Sequence, residues 1–146
     1  MVYLLVLTWN DLVEALEKLP SNLQEELEAV IGIGRSGLIP AALACKKLNC
    51  RKFLAIIISK YGEGKPPKKL YDHPVVIWGF KEQLNGGTVL IVDDIAVTGE
   101  TLKLAEEYAK EKGAGKALKF ALVKRPSVSV DFYGWEYEHC VIFPWE

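Results

Sequence analysis

Residues 89–102 read VLIVDDIAVTGETL, and this stretch decides how the rest of the chain is interpreted. An apolar run leads into the adjacent carboxylates Asp93 and Asp94, and a turn of small and hydroxyl-bearing residues, 96–101, then opens a helical pattern. A solid apolar run is typical of a strand that is covered on both faces. The segment therefore predicts a buried strand, a turn and a helix N-terminus, with two negative charges where the strand ends.

The same alternation of apolar runs and helical patterns extends along the chain. Predicted strands cover residues 2–7, 29–33, 53–58, 75–80, 89–94 and 117–123. Three helices are predicted. The first follows Thr8 or Asn10, either of which can act as an N-cap. The second follows Gly37 and runs to about Leu48, and the third runs from Gly99 to Lys112. Apolar strands that alternate with helices predict an α/β fold, a doubly wound and mainly parallel sheet flanked by helices, in one domain over residues 1–146.

Composition excludes several classes of partner. The 146 residues carry a net charge of −1, so we expect neither a nucleic-acid-binding face nor a polybasic membrane patch. We read the apolar N-terminus as a strand rather than a signal peptide, and no apolar stretch is long enough for a membrane span. The odd number of cysteines, three, predicts reduced thiols and a cytoplasmic protein.

Two segments lack the regular pattern. Residues from about 60 to 73 are rich in glycine, proline and lysine and have no apolar period, so we expect a flexible loop there. The tail, from about 126 to 146, is dense in aromatic residues. The two histidines, His73 and His139, have no partners at metal-ligand spacing, so no zinc site is expected.

Two predicted turns have unusual chemistry. Ligands of doubly wound folds bind at the carboxyl ends of the strands. Residues 34–37, GRSG, and the turn after Asp94 both lead into a helix N-terminus, where backbone N–H groups and the helix dipole favour an anion. Ionised carboxylates only accept hydrogen bonds, so Asp93 and Asp94 suit sugar hydroxyls or Mg²⁺. The pattern predicts a ribose 5-phosphate ligand. The alternative is that Thr98 caps the helix beside a solvated acid pair, which does not explain why two acids follow a buried strand.

These residues resemble a known family. The stretch VLIVDDIAVTGETL is similar to the phosphoribosyl-pyrophosphate signature of the type I phosphoribosyltransferases, and GIGRSGLIPAALA, at 32–44, resembles that family's pyrophosphate loop and helix. LTWNDL at 7–12 and FPWE at 143–146 resemble the small purine branch, of the xanthine, guanine and hypoxanthine type. The resemblance implies a Mg²⁺-dependent purine-salvage enzyme, usually a homodimer, that moves the ribosyl 5-phosphate group from phosphoribosyl pyrophosphate to a nucleobase. Residues 60–73 then correspond to the family's active-site loop and 126–146 to its base-binding hood.

The resemblance implies a role for each matching residue. Asp93 and Asp94 hold the ribose hydroxyls, and Asp94 also reaches Mg²⁺. The 5-phosphate lies on Ala96, Val97, Thr98, Gly99, Glu100 and Thr101. Pyrophosphate contacts Arg35, Ser36 and Gly37, often through a cis or strained peptide in this family, and Lys60 and Tyr61, with Lys65, Lys68 and Lys69, close over it. The nucleobase contacts Lys124 at its 6-oxygen, the backbone of Val141, and Glu146 near its 2-position.

Two departures from the family pattern concern the base. Cys140 stands where family members often have a stacking tryptophan, and Tyr133 or Trp135 are the candidates to replace it. Val97 stands where a D-T-G turn commonly places an aspartate near N7 of the base, and valine cannot exchange a proton. Because lysine only donates at neutral pH, Lys124 predicts a 6-oxopurine rather than adenine. The departures keep open an alternative, a non-catalytic sensor that binds phosphoribosyl pyrophosphate or a nucleotide on the same fold.

Overall fold

The fold is built on a central six-stranded sheet. The computed structural model describes residues 3–61 and 68–146. The strands are β1 (Leu4–Val6), β2 (Leu27–Gly34), β3 (Phe53–Ser59), β4 (Val75–Gly79), β5 (Thr88–Ala96), β6 (Lys116–Lys124), β7 (Phe132–Glu136) and β8 (Cys140–Ile142). The helices are α1 (Trp9–Leu16), α2 (Leu38–Lys47) and α3 (Glu100–Glu111), with a short 3₁₀ helix at Ser21–Glu25.

The strand order confirms the predicted doubly wound α/β fold. It runs β4-β3-β2-β5-β6-β7, and every neighbouring pair is parallel except β3 with the edge strand β4. From β2 the chain winds outward through β3 and β4, and from β5 it winds outward in the opposite direction through β6 and β7. The crevice outside the carboxyl ends of β2 and β5 is therefore the topological switch point, where ligands of such sheets bind.

Both faces of the sheet are buried, as the apolar strand runs predict. Alternate residues of β5 belong to two separate cores: Leu90 and Val92 pack with α1 and α2, whereas Val89 and Ile91 pack with α3. Each helix buries one face, because its apolar residues recur every three or four positions. None of the helices in the described ranges is long and apolar enough to cross a membrane.

The N-terminus and the tail form a separate small sheet. β1 pairs with β8 in parallel, and Leu5 lies opposite Val141. Of the strand predicted over 2–7, the described part of the chain has only Leu4–Val6 as a strand, because its partner β8 is itself only three residues long. Of the two candidate caps of α1, the structure selects Thr8, whose hydroxyl accepts from the Asp11 N–H while the Asp11 carboxylate accepts from the Thr8 N–H.

A carboxylate on β2 anchors the loop that leads into β5. Glu28 accepts hydrogen bonds from the backbone N–H groups of Asn85 and Gly87, at 2.7 and 2.9 Å, and lies 3.6 Å from the Lys52 ammonium. Burial acts to raise the pKa of Glu28, but the two backbone donors and Lys52 outweigh it, so the pKa is lowered. The ionised carboxylate thus holds the entry to the strand that carries the acid pair.

Candidate functional site

The acid pair lies at the switch point, near the C-terminal end of β5, which is longer than the sequence predicted. β5 continues past Asp94 to Ala96, because Ile95 and Ala96 still pair with β6. Asp93 is buried, with 7% of its surface exposed, and Asp94 is partly exposed. The strand therefore delivers both carboxylates to the carboxyl edge of the sheet, one deep and one near the surface.

Each carboxylate is fixed by one backbone contact. Asp93 Oδ1 accepts from the Asp94 N–H at 2.8 Å, and Asp94 Oδ1 accepts from the Ile95 N–H at 2.8 Å. Burial, followed by the neighbouring Asp94 carboxylate, raises the pKa of Asp93 well above its usual range. A ligand that donates hydrogen bonds to this pair would therefore relieve an unfavourable concentration of negative charge.

The turn after β2 packs directly against the acid pair. The Gly34–Arg35 peptide bond is cis. A Cβ atom on Gly37 would lie 2.4 Å from the Ile33 carbonyl oxygen and 3.0 Å from Asp93 Oδ1. Only glycine fits at this position, because a methyl group would displace either a buried strand or the carboxylate. The close approach brings the predicted pyrophosphate loop, Arg35 to Gly37, beside Asp93.

The turn after β5 presents backbone N–H groups at the start of α3. Gly99 is the N-cap and has a φ of 88°, in the left-handed region that favours glycine. Glycine offers no side-chain cap. The Glu100 N–H donates to Thr98 Oγ1 at 3.2 Å, as the capping alternative predicts, and the cap residue leaves the following N–H groups of α3 available. Such a helix start is suited to an anion. The turn suits the phosphate group that the sequence predicts here, and residues 96–101 are called the phosphate cradle below.

Two adjoining cavities bring these elements together. One, of about 270 Å³, is lined by Ile33, Gly34, Arg35, Ser36, Gly37, Ile58, Ser59, Lys60, Tyr61, Pro74, Asp93, Asp94 and Thr101. The other, of about 240 Å³, is lined by Lys60, Tyr61, Asp93, Ile95, Ala96, Val97, Thr98, Gly99, Thr101 and Leu102. The four shared residues make the cavities two halves of one cleft. The sequence did not single out Ser59, although it directly follows the apolar run of β3 at the same sheet edge.

Glu100 joins the phosphate cradle to the predicted flexible loop. Its carboxylate lies 3.8 Å from the Lys60 ammonium and 3.3 Å from His73 Nδ1. Tyr61 forms an isolated antiparallel bridge with Lys69, which brings the two flanks of the loop together. Residues 62–67, with the predicted contact Lys65, lie outside the described residues. Lys60 and Tyr61 therefore reach the cleft from the base of this loop.

The predicted base contact Lys124 stands beside the cradle. It ends β6 directly opposite Ala96 and is 7% exposed. Its ammonium donates to Glu136 Oε1 at 2.7 Å and lies 4.9 Å from the centre of the Tyr133 ring. Sequence reasoning did not single out Glu136, because the partnership depends on the β6–β7 register, in which Lys124 lies opposite Glu136.

The predicted hood, 126–146, is not one separate unit, because Phe132–Glu136 is the edge strand β7 of the central sheet. Arg125 holds the segment that follows β7. Its guanidinium donates to the backbone carbonyls of Tyr137 and His139, at 3.0 and 2.7 Å. Glu146, the predicted contact at the 2-position of the base, accepts from the Phe143 N–H at 2.9 Å. Among the described residues, the lining of the two cavities does not include Lys124, Val141 or Glu146. Their contact with a base therefore stays a prediction.

Comparisons with known proteins agree with this geometry. Residues 8–140 match the model of the phosphoribosyl transferase domain. The chain is 29% identical over 130 residues to the xanthine-guanine phosphoribosyltransferase of Cereibacter sphaeroides, covering 81% of this chain and 68% of that protein. A purine phosphoribosyltransferase structure from Pyrococcus horikoshii superposes with a TM-score of 0.83 at 31% identity, over 98% of this chain and 93% of that one. The xanthine-guanine-hypoxanthine phosphoribosyltransferase of Helicobacter pylori, at 17% identity, shares the fold with a TM-score of 0.69, over 99% of this chain and 94% of that one.

Proposed function

This chain belongs to the phosphoribosyl transferase domain family, and we propose that it transfers the 5-phosphoribosyl group of phosphoribosyl pyrophosphate to a 6-oxopurine, releasing pyrophosphate, in purine salvage. One observation carries the proposal: the acid pair, the GRSG turn and the phosphate cradle line a single cleft at the switch point of the sheet. The relatives named as xanthine-guanine and purine phosphoribosyltransferases support the choice of base.

The cleft matches the substrate from one end to the other. The start of α3, with Thr98 and Thr101, offers N–H and hydroxyl donors to the 5-phosphate. The carboxylates of Asp93 and Asp94, which line the cleft, accept hydrogen bonds from the 2- and 3-hydroxyls of the ribose. Arg35 and the backbone of the GRSG turn, on the other side of the acid pair, receive the pyrophosphate.

The proposed reaction forms a bond between C1 of the ribose and a ring nitrogen of the base, while the bond from C1 to pyrophosphate breaks and the proton of that nitrogen is released to water. The transition state resembles an oxocarbenium ion, so the protein contributes mainly by positioning the reactants and by electrostatics. Arg35 compensates the charge that develops on the leaving group. Lys60 and Tyr61, at the base of the loop, restrict the access of water to the reactive sugar.

The donor set of the cleft fits Mg²⁺ shared with a substrate. No cluster of three or more His, Cys, Asp or Glu side chains suited to a metal occurs within residues 3–61 and 68–146. Mg²⁺ is commonly bound by one or two carboxylates together with substrate phosphates and water. Asp94, whose Oδ1 is engaged by the Ile95 N–H, would hold it through Oδ2. When bound, the ion neutralises part of the pyrophosphate charge.

Two further parts of the proposal concern the whole molecule. We propose a cytoplasmic location, which the three free cysteines support, since reduced thiols are usual there. We also propose a homodimer, the usual assembly of the family that the sequence resembles. Light scattering over a range of protein concentrations tests the assembly, and a monomeric mass at every concentration would contradict it.

Pyrophosphate release from phosphoribosyl pyrophosphate, measured over a panel of bases with Mg²⁺, tests the activity. Release with hypoxanthine, guanine or xanthine, and much slower release with adenine, uracil and orotate, is the expected result. Binding of phosphoribosyl pyrophosphate without release for any base would favour the non-catalytic sensor. A wide preference for adenine, uracil or orotate would contradict the assignment of Lys124.

A further inference from the structure

Lys124 and Glu136 form an ion pair at the ends of neighbouring strands. The distance from the Lys124 ammonium to Glu136 Oε1 is 2.7 Å. The lysine side chain is 9% exposed and the glutamate side chain 47% exposed. The salt bridge uses one carboxylate oxygen, and an ionised carboxylate has about four acceptor sites. The pair therefore presents a donor and an acceptor side by side, with acceptor capacity directed to solvent.

The strand order places the two groups in sequence away from the ribose site. The acid pair lies near the C-terminal end of β5 and the phosphate cradle begins where that strand ends. Lys124 is the last residue of β6, opposite Ala96, and Glu136 is the last residue of β7, opposite Lys124. A purine bonded to ribose through N9 shows a matching order along its edge, with N7 nearest the sugar, then the 6-position, then N1 and the 2-position. If Lys124 lies at the 6-position, Glu136 lies at N1.

We propose that Glu136, rather than the Glu146 that the resemblance places near the 2-position, reads the N1–H and the 2-position of the base, so that the Lys124–Glu136 pair selects guanine and hypoxanthine. The inference rests on the proposed function, because it takes Lys124 as the contact of the 6-oxygen. A 6-oxopurine presents an acceptor at O6 and a donor at N1–H, which complements an ammonium followed by a carboxylate. In guanine the 2-amino group adds a second donor to the same carboxylate.

The Lys124–Glu136 pair discriminates against adenine and xanthine, because their hydrogen-bonding groups do not complement it. Adenine places an amino donor before the Lys124 ammonium and an acceptor nitrogen, N1, before the Glu136 carboxylate, so both contacts are lost. Xanthine keeps N1–H but adds an oxygen at the 2-position, which the carboxylate repels. Sites built to hydrogen-bond a substrate group reject analogues that lack it strongly, because their own polar groups are then left unpaired.

Equilibrium binding of nucleoside 5-monophosphates tests the inference, with GMP, IMP, XMP and AMP titrated by calorimetry into the wild-type protein and Glu136→Gln. Loss of a charged hydrogen bond predicts that GMP binding weakens by roughly 10- to 100-fold. XMP binding should stay the same or tighten, since the new amide can donate to the 2-oxygen. Glu138→Gln, at an exposed position in the segment that follows β7, is the matched control and should leave the order of affinities unchanged. Glu136→Asp keeps the charge but shortens the reach, and should also weaken GMP binding.

The outcomes separate this inference from the proposed function. A change in the GMP-to-XMP affinity ratio of at least about tenfold in a folded Glu136→Gln variant, with unchanged binding of phosphoribosyl pyrophosphate, supports a base-reading role. Equal weakening of all four nucleotides, or an unchanged ratio, would overturn it. If the wild-type protein releases no pyrophosphate with any base but the ratio still shifts, the inference stands and the transferase activity fails.

Discussion

Replacement of both acids, Asp93→Asn with Asp94→Asn, separates binding from folding in one experiment. In the structure each Oδ1 atom accepts a backbone N–H at 2.8 Å, from Asp94 and from Ile95 respectively. Asparagine has the same shape and keeps an Oδ1 acceptor, so these backbone contacts survive. The second oxygen, which we assign to the ribose hydroxyls, becomes an amide donor, and two negative charges disappear.

The magnitude follows from the number of contacts. Hydrogen bonds to charged groups contribute about 1.5–3 kcal/mol each. Loss of two of them costs about 3–6 kcal/mol, which corresponds to a weakening of roughly 10²- to 10⁴-fold in the affinity for phosphoribosyl pyrophosphate. We expect the lower part of this range without Mg²⁺ and a larger loss with it, because Asp94 is the proposed metal ligand.

The stability of the free protein should change in the opposite direction. Burial, and then the neighbouring Asp94 carboxylate, raises the pKa of Asp93 well above its usual range. A raised carboxyl pKa means that the ionised form is disfavoured in the folded state, so the wild-type protein gains stability as the pH falls through that pKa. The double variant should therefore have a higher Tm than the wild type at neutral pH and should lose this part of the pH dependence.

Calorimetric titration and thermal unfolding of the same samples provide the two readouts. A matched control, Glu25→Gln with Glu111→Gln, removes two exposed charges elsewhere on the surface and should change neither the affinity nor, beyond a degree or so, the Tm. Unchanged affinity of a folded double variant would refute the assignment of the acid pair to the ribose. A lower Tm with normal affinity would refute the argument from charge burial.

Three further predictions concern single positions. Glu28→Gln should lower the free energy of unfolding by about 1–3 kcal/mol at pH 7. Because the pKa of Glu28 is lowered, the difference between variant and wild type should shrink as the pH falls below about 4. Urea unfolding that shows an equal difference at pH 7 and pH 3 would contradict this. Gly37→Ala should lower the Tm by roughly 2–12 °C and weaken phosphoribosyl pyrophosphate binding, since the Cβ of the alanine would lie 2.4 Å from the Ile33 carbonyl oxygen. A variant with wild-type Tm and affinity would exclude the tight packing. Val97→Asp should raise turnover on a 6-oxopurine by up to about 10²-fold, and steady-state rates equal to those of the wild type would show that no acid is missing there.

Six of the strands, the helices and the turn between β5 and α3 could be predicted from the sequence, because each depends on neighbours along the chain. The strands β7 and β8, in the aromatic tail, were not predicted. The apolar run before Asp93 indicates a strand covered on both faces, and the structure confirms it. The glycine at 99 and the following helical pattern indicate a helix start, which the structure places at Glu100. The resemblance to the phosphoribosyltransferases rests on these same local segments, which is why the family could be predicted before any tertiary contact was known.

Pairings between distant segments were decided only by the tertiary structure. The sequence could not show that β5 extends to Ala96, because that extension is stabilised by pairing with β6. It could not show that β1 leaves the central sheet to pair with β8, since a short apolar run has the same pattern in either sheet. The contact between Lys124 and Glu136 depends in the same way on strand register. Periodicity reports which face of an element is apolar, whereas register depends on the complementarity of two whole strands, and that information is not local.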